Sequence, residues 1–148
     1  MKTISGGVME KNVTKYGQTA IVAARYLAAG KYSSPRDAWQ QAASEIFPES
    51  ASAQAKGCPR DAFLSLCELG LIKRVPNGAY TKSVKNKGYI ENALSAVDAN
   101  PRLLQDNKEL WRYATNGSGT VHNHQMEVLT ALWNAGYLNS LASDLIER

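Results

Sequence analysis

From Asn12 onward the chain repeats apolar residues three and four positions apart. Val13, Tyr16, Ala20, Ala23, Ala24 and Leu27 share one face of a helix expected over residues 12–29, and Gly30 stops it. "SSPRDAW" opens a second helix, with Ser34 as N-cap, Pro35 at the first helical position and Asp37 closing a capping box. Trp39, Ala42, Ala43, Ile46 and Phe47 form its inward stripe, and Pro48 marks its end. "PESASAQAKG" is small, polar and turn-rich, which predicts a loop. "GCPRD" then opens a third helix, with Pro59 in the first helical position, Phe63, Leu66 and Cys67 facing inward, and Gly70 as a left-handed stop. "LIKRV" and "AYTK" flank "PNG", which predicts a tight β-hairpin over residues 72–82.

The second half returns to helical spacing. Ser83 caps a fourth helix that carries Tyr89, Ala93, Ala96 and Val97 and stops before "ANP". Asp106 and Glu109 form a capping box ahead of "LWRYA", and "TNGSGT" reads as a flexible loop. Asn123 is the expected cap of a sixth helix through Met126, Leu129, Leu132 and Trp133 to Gly136, and Ser140 of a short amphipathic tail helix. Sliding "AFLSLCELGLI" forward by 66 positions lays it on "VLTALWNAGYL", with Gly70 on Gly136, Phe63 on Leu129 and Cys67 on Trp133. A duplication explains that match, and so does the spacing common to all capped amphipathic helices. The expected fold class is all-α with one small β-hairpin, built from two pseudo-repeated three-helix units. Residues 12–82 form the first, which is winged-helix-like, and residues 83–148 the second. Both pack as one globular domain behind a flexible leader, residues 1–11.

Composition narrows the function classes. The 148 residues, 44% hydrophobic and 20% charged, lie in the ordinary globular range, so wholesale disorder is not expected. No apolar run approaches the roughly 18 residues of a membrane span, and no apolar block with a cleavage site follows Met1. Cys58 and Cys67, nine positions apart on one helix, stand roughly 13 Å apart, beyond the reach of a disulfide. These features predict a cytoplasmic protein with no membrane partner. The net charge is +4, and between Lys56 and Lys87 seven basic residues stand against only Asp61 and Glu68. The basic character belongs to one segment.

"KGCPRDAFLSLCELGLI", "PNGAYTKSVKNKGY" and "HNHQMEVLTALWNAGYL" together resemble a family of small bacterial proteins with no assigned function. The resemblance runs from about Val13 to Leu138. It implies a bacterial, soluble, mainly helical protein and implies no chemistry. A looser likeness to the winged helix-turn-helix is confined to residues 34–82.

Nucleic-acid binding requires cations that neutralise phosphates and a slim element that enters a groove. Arg60, in the first turn of the third helix, is the candidate base reader; Lys73, Arg74 and Lys82 on the hairpin, with Lys85 and Lys87 beyond it, are the candidate backbone contacts. Glu68 on the same helix weakens the base-reading role. The same surface suits a protein-interaction or accessory module with a protein partner or a homodimer, and the second unit would serve as support. A third reading is an enzyme that depends on Cys58, a thiol at a helix N-terminus between Lys56 and Arg60 with His124 in register and His122 nearby. It lacks an acid to orient the imidazole, so no catalytic residue is assigned. Cys-x8-Cys and His-x-His match no zinc spacing, and no glycine-rich phosphate loop is present, so neither metal nor cofactor is expected. Trp39, Trp111 and Trp133 sit at core positions and read as packing anchors.

Overall fold

The computed structural model describes residues 13–139. Most of its helices begin where short polar side chains satisfy free N–H groups. Thr14 Oγ1 accepts from Gly17 N at 3.4 Å at the head of α1 (Lys15–Ala28), and Ser34 Oγ from Asp37 N at 3.3 Å at the head of α2 (Pro35–Ile46). The segment expected as a plain loop holds a single helical turn, α3 (Ala51–Gln54), because Ser50 Oγ takes Ala53 N at 3.1 Å. Then come α4 (Gly57–Glu68), α5 (Val84–Ala99) capped by Ser83, a 3-10 turn (Pro101–Gln105), α6 (Asn107–Ala114) capped by Asp106, and α7 (Gln125–Ala135).

Helix α4 is the centre of the packing. Ala62, Phe63, Leu64, Leu66 and Cys67 are all fully buried, and Ser65 joins them by donating its hydroxyl to Asp61 O at 2.7 Å. It is enclosed by α2, α5 and α7, while α1 lies on α2 and α7, and α5 on α6. Burying each large apolar side chain contributes about 1.5–3 kcal/mol, so this central helix carries a large part of the fold's stability. α7, from the second half, packs on α1 and α4 of the first, and the two halves share one hydrophobic cluster. Gly17 sets the α1–α7 approach: a Cβ there would stand 2.7 Å from Val13 Cγ1 and 2.9 Å from Ala131 Cβ.

Three expectations need correction. Residues 72–82 form no hairpin. Ile72 instead makes an isolated antiparallel bridge with Leu138, with Lys73 N donating to Tyr137 O at 3.0 Å and Asn139 N to Leu71 O at 2.7 Å. With its hydrogen bonds directed to a distant segment, "LIKRV" is not free to pair with "AYTK". Pro59 is the third helical residue rather than the first, since α4 starts at Gly57; the position suits it because the opening N–H groups of a helix have no internal acceptor. Finally, Asn123 does not cap α7. His124 occupies the cap in a left-handed conformation (φ 72°), and His122 Nε2 accepts Met126 N at 3.0 Å from one turn back. The tail helix at Ser140 and the leader before Val13 lie outside the described residues.

Candidate functional site

The basic segment leaves α4 through Gly70, whose φ of 76° provides the left-handed stop, and turns at once. Val75 N donates to Ile72 O at 3.1 Å, which makes Lys73 and Arg74 the central pair of a four-residue turn. Arg74 takes φ 68°, a region that normally favours glycine. From Pro76 the chain runs back along the C-terminal end of α4, and Asn77 comes so close that a Cβ on Gly70 would stand 3.1 Å from Asn77 Cβ.

Glu68 pins this strap. Its Oε1 accepts the backbone N–H groups of Tyr80 at 2.9 Å and Thr81 at 3.1 Å, and its Oε2 pairs with Lys87 Nζ at 2.8 Å. The Lys87 hydrogen bond comes first among the causes that hold the Glu68 carboxyl down at about 2, followed by the two backbone donors; Glu68 in turn raises the Lys87 ammonium. Glu68, expected only to weaken base reading, is therefore the fixing point of the segment. Sequence offered no signal for it, because its partners lie 12 to 19 positions further on.

The expected site residues do not stay together. Lys73, Arg74, Lys82 and Lys85 are exposed on or beside the strap, and among the described residues none of them forms a salt bridge. Lys87 is committed to Glu68. Arg60 lies at the opposite end of α4, roughly 12 Å along the axis from Glu68, folded back over Gly57 and paired with Asp61 at 3.3 Å. With Pro59 and every residue from Ala62 to Cys67 buried, α4 has no free face to lay in a groove.

Cys58 gains no imidazole partner. Both rings are engaged elsewhere: His122 Nε2 on Met126 N, and His124 Nδ1 on Glu127 at 3.0 Å. Glu127 also accepts the Thr14 hydroxyl at 2.7 Å, and His124 lies against Tyr16 with ring centroids 4.6 Å apart. This Thr14–Glu127–His124 chain ties the first turn of α1 to α7 and was not foreseen from the sequence: His124 and Glu127 are three positions apart, but Thr14 lies 113 positions from Glu127. Cys67 is sealed in the core, and burial pushes its thiol far above the ordinary range. Trp39 and Trp111 are buried, with Trp111 Nε1 donating to Thr120 O at 2.6 Å, and Trp133 packs against the core as a partly buried side chain. Among the described residues no group of three or more His, Cys, Asp or Glu could hold a metal ion, and no helix is long and apolar enough to cross a membrane.

The fold and strap define a mostly helical protein with no β-sheet among the described residues, carrying a pinned basic loop. Residues 13–139 match a family of unknown function, DUF6979, and the chain belongs to it. No curated protein and no solved structure matches the chain.

Proposed function

We propose that the protein is a non-catalytic module that grips the phosphate backbone of nucleic acid with its basic strap and does not read bases. The observation that carries this reading is Arg74, an exposed cation held at φ 68° at the apex of a turn where glycine would be relaxed. Left-handed backbone costs an ordinary residue roughly 1 kcal/mol or more, and such costs concentrate where a side chain is needed in one place. Lys73 beside it, and Lys82 and Lys85 at the far end of the strap, add charge with no salt-bridging carboxylate among the described residues. The Glu68 clamp limits the conformational freedom that binding would otherwise remove. Base reading is left out of the proposal because α4 is enclosed and Arg60 is neutralised by Asp61.

Fluorescence anisotropy with labelled duplexes of unrelated sequence, repeated across a salt series, tests this. Four neutralised phosphates give a log–log salt slope of roughly −3.6 on duplex DNA, with little sequence preference. The double charge reversal Lys73→Glu/Arg74→Glu should weaken every duplex alike and flatten the slope, whereas Arg60→Ala should leave both unchanged. Absence of salt-sensitive binding would sink the proposal and leave the strap as a docking surface for an acidic protein.

A further inference from the structure

The loop that joins α6 to α7, residues 115–124, meets the body of the protein at His122 and Asn123. His122 lies on Trp111, with ring centroids 4.9 Å apart, and its Nε2 accepts Met126 N at 3.0 Å. Beside it, Asn123 N donates to Gln125 Oε1 at 2.7 Å. Gln125 and Asn86 are both buried, and their amides carry the contact inward. Gln125 Nε2 donates to Asn86 Oδ1 at 3.0 Å, and Asn86 Nδ2 to Ser83 Oγ at 2.9 Å. Ser83 N then donates to Thr81 Oγ1 at 3.0 Å, and Thr81 N to Glu68 Oε1 at 3.1 Å. Hydrogen bonds therefore run unbroken from the loop to the clamp of the strap.

One end fixes the direction of this chain. A backbone N–H only donates, so Asn123 N holds Gln125 Oε1 toward the loop, and this turns Nε2 to Asn86 and Nδ2 to Ser83. With that donor withdrawn, Gln125 Oε1 would be a buried acceptor without a partner, a costly state. Turning the Gln125 amide relieves it only if the Asn86 amide turns too, since two carbonyl oxygens would otherwise face each other. Ser83 permits this, because a hydroxyl can donate as well as accept. The relay thus has two satisfied arrangements, and the loop selects between them. An imidazole accepts at Nε2 only while that nitrogen carries no proton, so protonation sets N–H against N–H at Met126 and frees this turn of the loop. Burial favours the neutral ring, with Glu127 on α7 opposing and His124 beside it assisting; Trp111, the face it meets on α6, carries no charge.

We propose that residues 115–124 form an acid-sensitive latch on the strap, with His122 as the trigger and the Gln125–Asn86 amide pair as the relay to Ser83 and Thr81. The latch sets how the strap is held and stands whatever the strap binds. The test is an NMR titration of the isotope-labelled full chain from about pH 8 to about pH 5, the range in which histidine changes charge. The Trp111 indole N–H and the Thr81 and Ser83 amides should shift together, with the midpoint of the His122 ring. His122→Gln, which accepts whatever the pH, should silence all three. Gln125→Met keeps the side-chain length and leaves His122 in place, but cuts the relay. There the Trp111 indole should still follow pH, while Thr81 and Ser83 lose most of their shift. A through-space effect of the His122 charge would leave that shift intact. Asn86→Ala cuts the same relay and serves if the Gln125→Met spectrum loses its dispersion. His124→Asn, which suits the left-handed φ of 72°, should keep the full response. The proposal is overturned if Thr81 and Ser83 do not follow His122 in the parent, if they follow it equally with the relay cut, or if His124→Asn abolishes the response.

Discussion

Ile72 and Leu138, one in each half of the chain, pair with each other in an antiparallel bridge. They are also the same position of the pattern that repeats at an offset of 66. The flanking bonds are reciprocal: Lys73 N reaches Tyr137 O, and Asn139 N reaches Leu71 O. Each segment leaves its helix through a left-handed glycine, Gly70 at φ 76° and Gly136 at φ 82°, closed by the same pair of hydrogen bonds from the glycine and its successor. The two stops differ in their surroundings. A Cβ at Gly136 meets nothing within 4 Å, whereas one at Gly70 stands 3.1 Å from Asn77 Cβ. Gly136→Ala should therefore cost about 1 kcal/mol from backbone conformation alone, and Gly70→Ala measurably more, as read from urea midpoints.

Breaking the Glu68 clamp should release the strap without unfolding the core. Glu68→Ala removes the acceptor of two backbone donors and one ammonium, a loss of about 1–3 kcal/mol, and amide exchange should quicken at Tyr80 and Thr81 but not in α4. The pH dependence has a definite sign. The folded carboxyl titrates at about 2 against an ordinary 4.5, so its contribution is complete above 4.5 and is lost as pH falls toward 2. Glu68→Gln should flatten the acid limb of stability in that window; an unchanged limb would show that the clamp is weak in solution.

Arg74→Gly separates strain from charge. Glycine relaxes the left-handed position, so the variant should be more stable by up to about 1 kcal/mol while binding a duplex more weakly. Arg74→Ala keeps the strain and loses the cation, and should bind as weakly with no gain in stability. Thermal unfolding beside anisotropy distinguishes the two.

His122 supplies a second pH signature. Burial, opposed by Glu127 and assisted by His124, lowers its imidazole below the ordinary 6.5, and its Nε2 must stay unprotonated to accept Met126 N. Its contribution is therefore complete above 6.5 and is lost as pH falls through the folded value. NMR titration should place that midpoint below 6.5. His122→Gln, which keeps an acceptor, should remove this part of the pH dependence.

Local chemistry was legible in the sequence. Ser34, Ser83 and Asp106 cap helices where the spacing of short polar residues placed them, since a cap needs only the next three residues. The strap was not legible. "PNG" between apolar flanks is a sound local turn signal, yet strand pairing is settled by whichever segment competes for the same N–H and C=O groups, and here Leu138 takes Ile72. The burial of α4 was hidden too: Leu64 and Ser65 lie off its expected inner stripe, and they are covered only because α2, α5 and α7 surround the helix.

The bonds that lock α1 in place also set an order of events during synthesis. Thr14 waits for Glu127, 113 positions later, and Arg25 for Tyr137, 112 positions later. A ribosome delivers the chain from its N-terminal end at roughly 5–20 residues per second, so α1 and α2 emerge several seconds before α7 exists to cover them. During that interval the apolar faces of α1 and α4 lack their lid, and Gly17 has no Ala131 to meet. A chain stopped at residue 82, which lacks that lid, should show no cooperative unfolding transition.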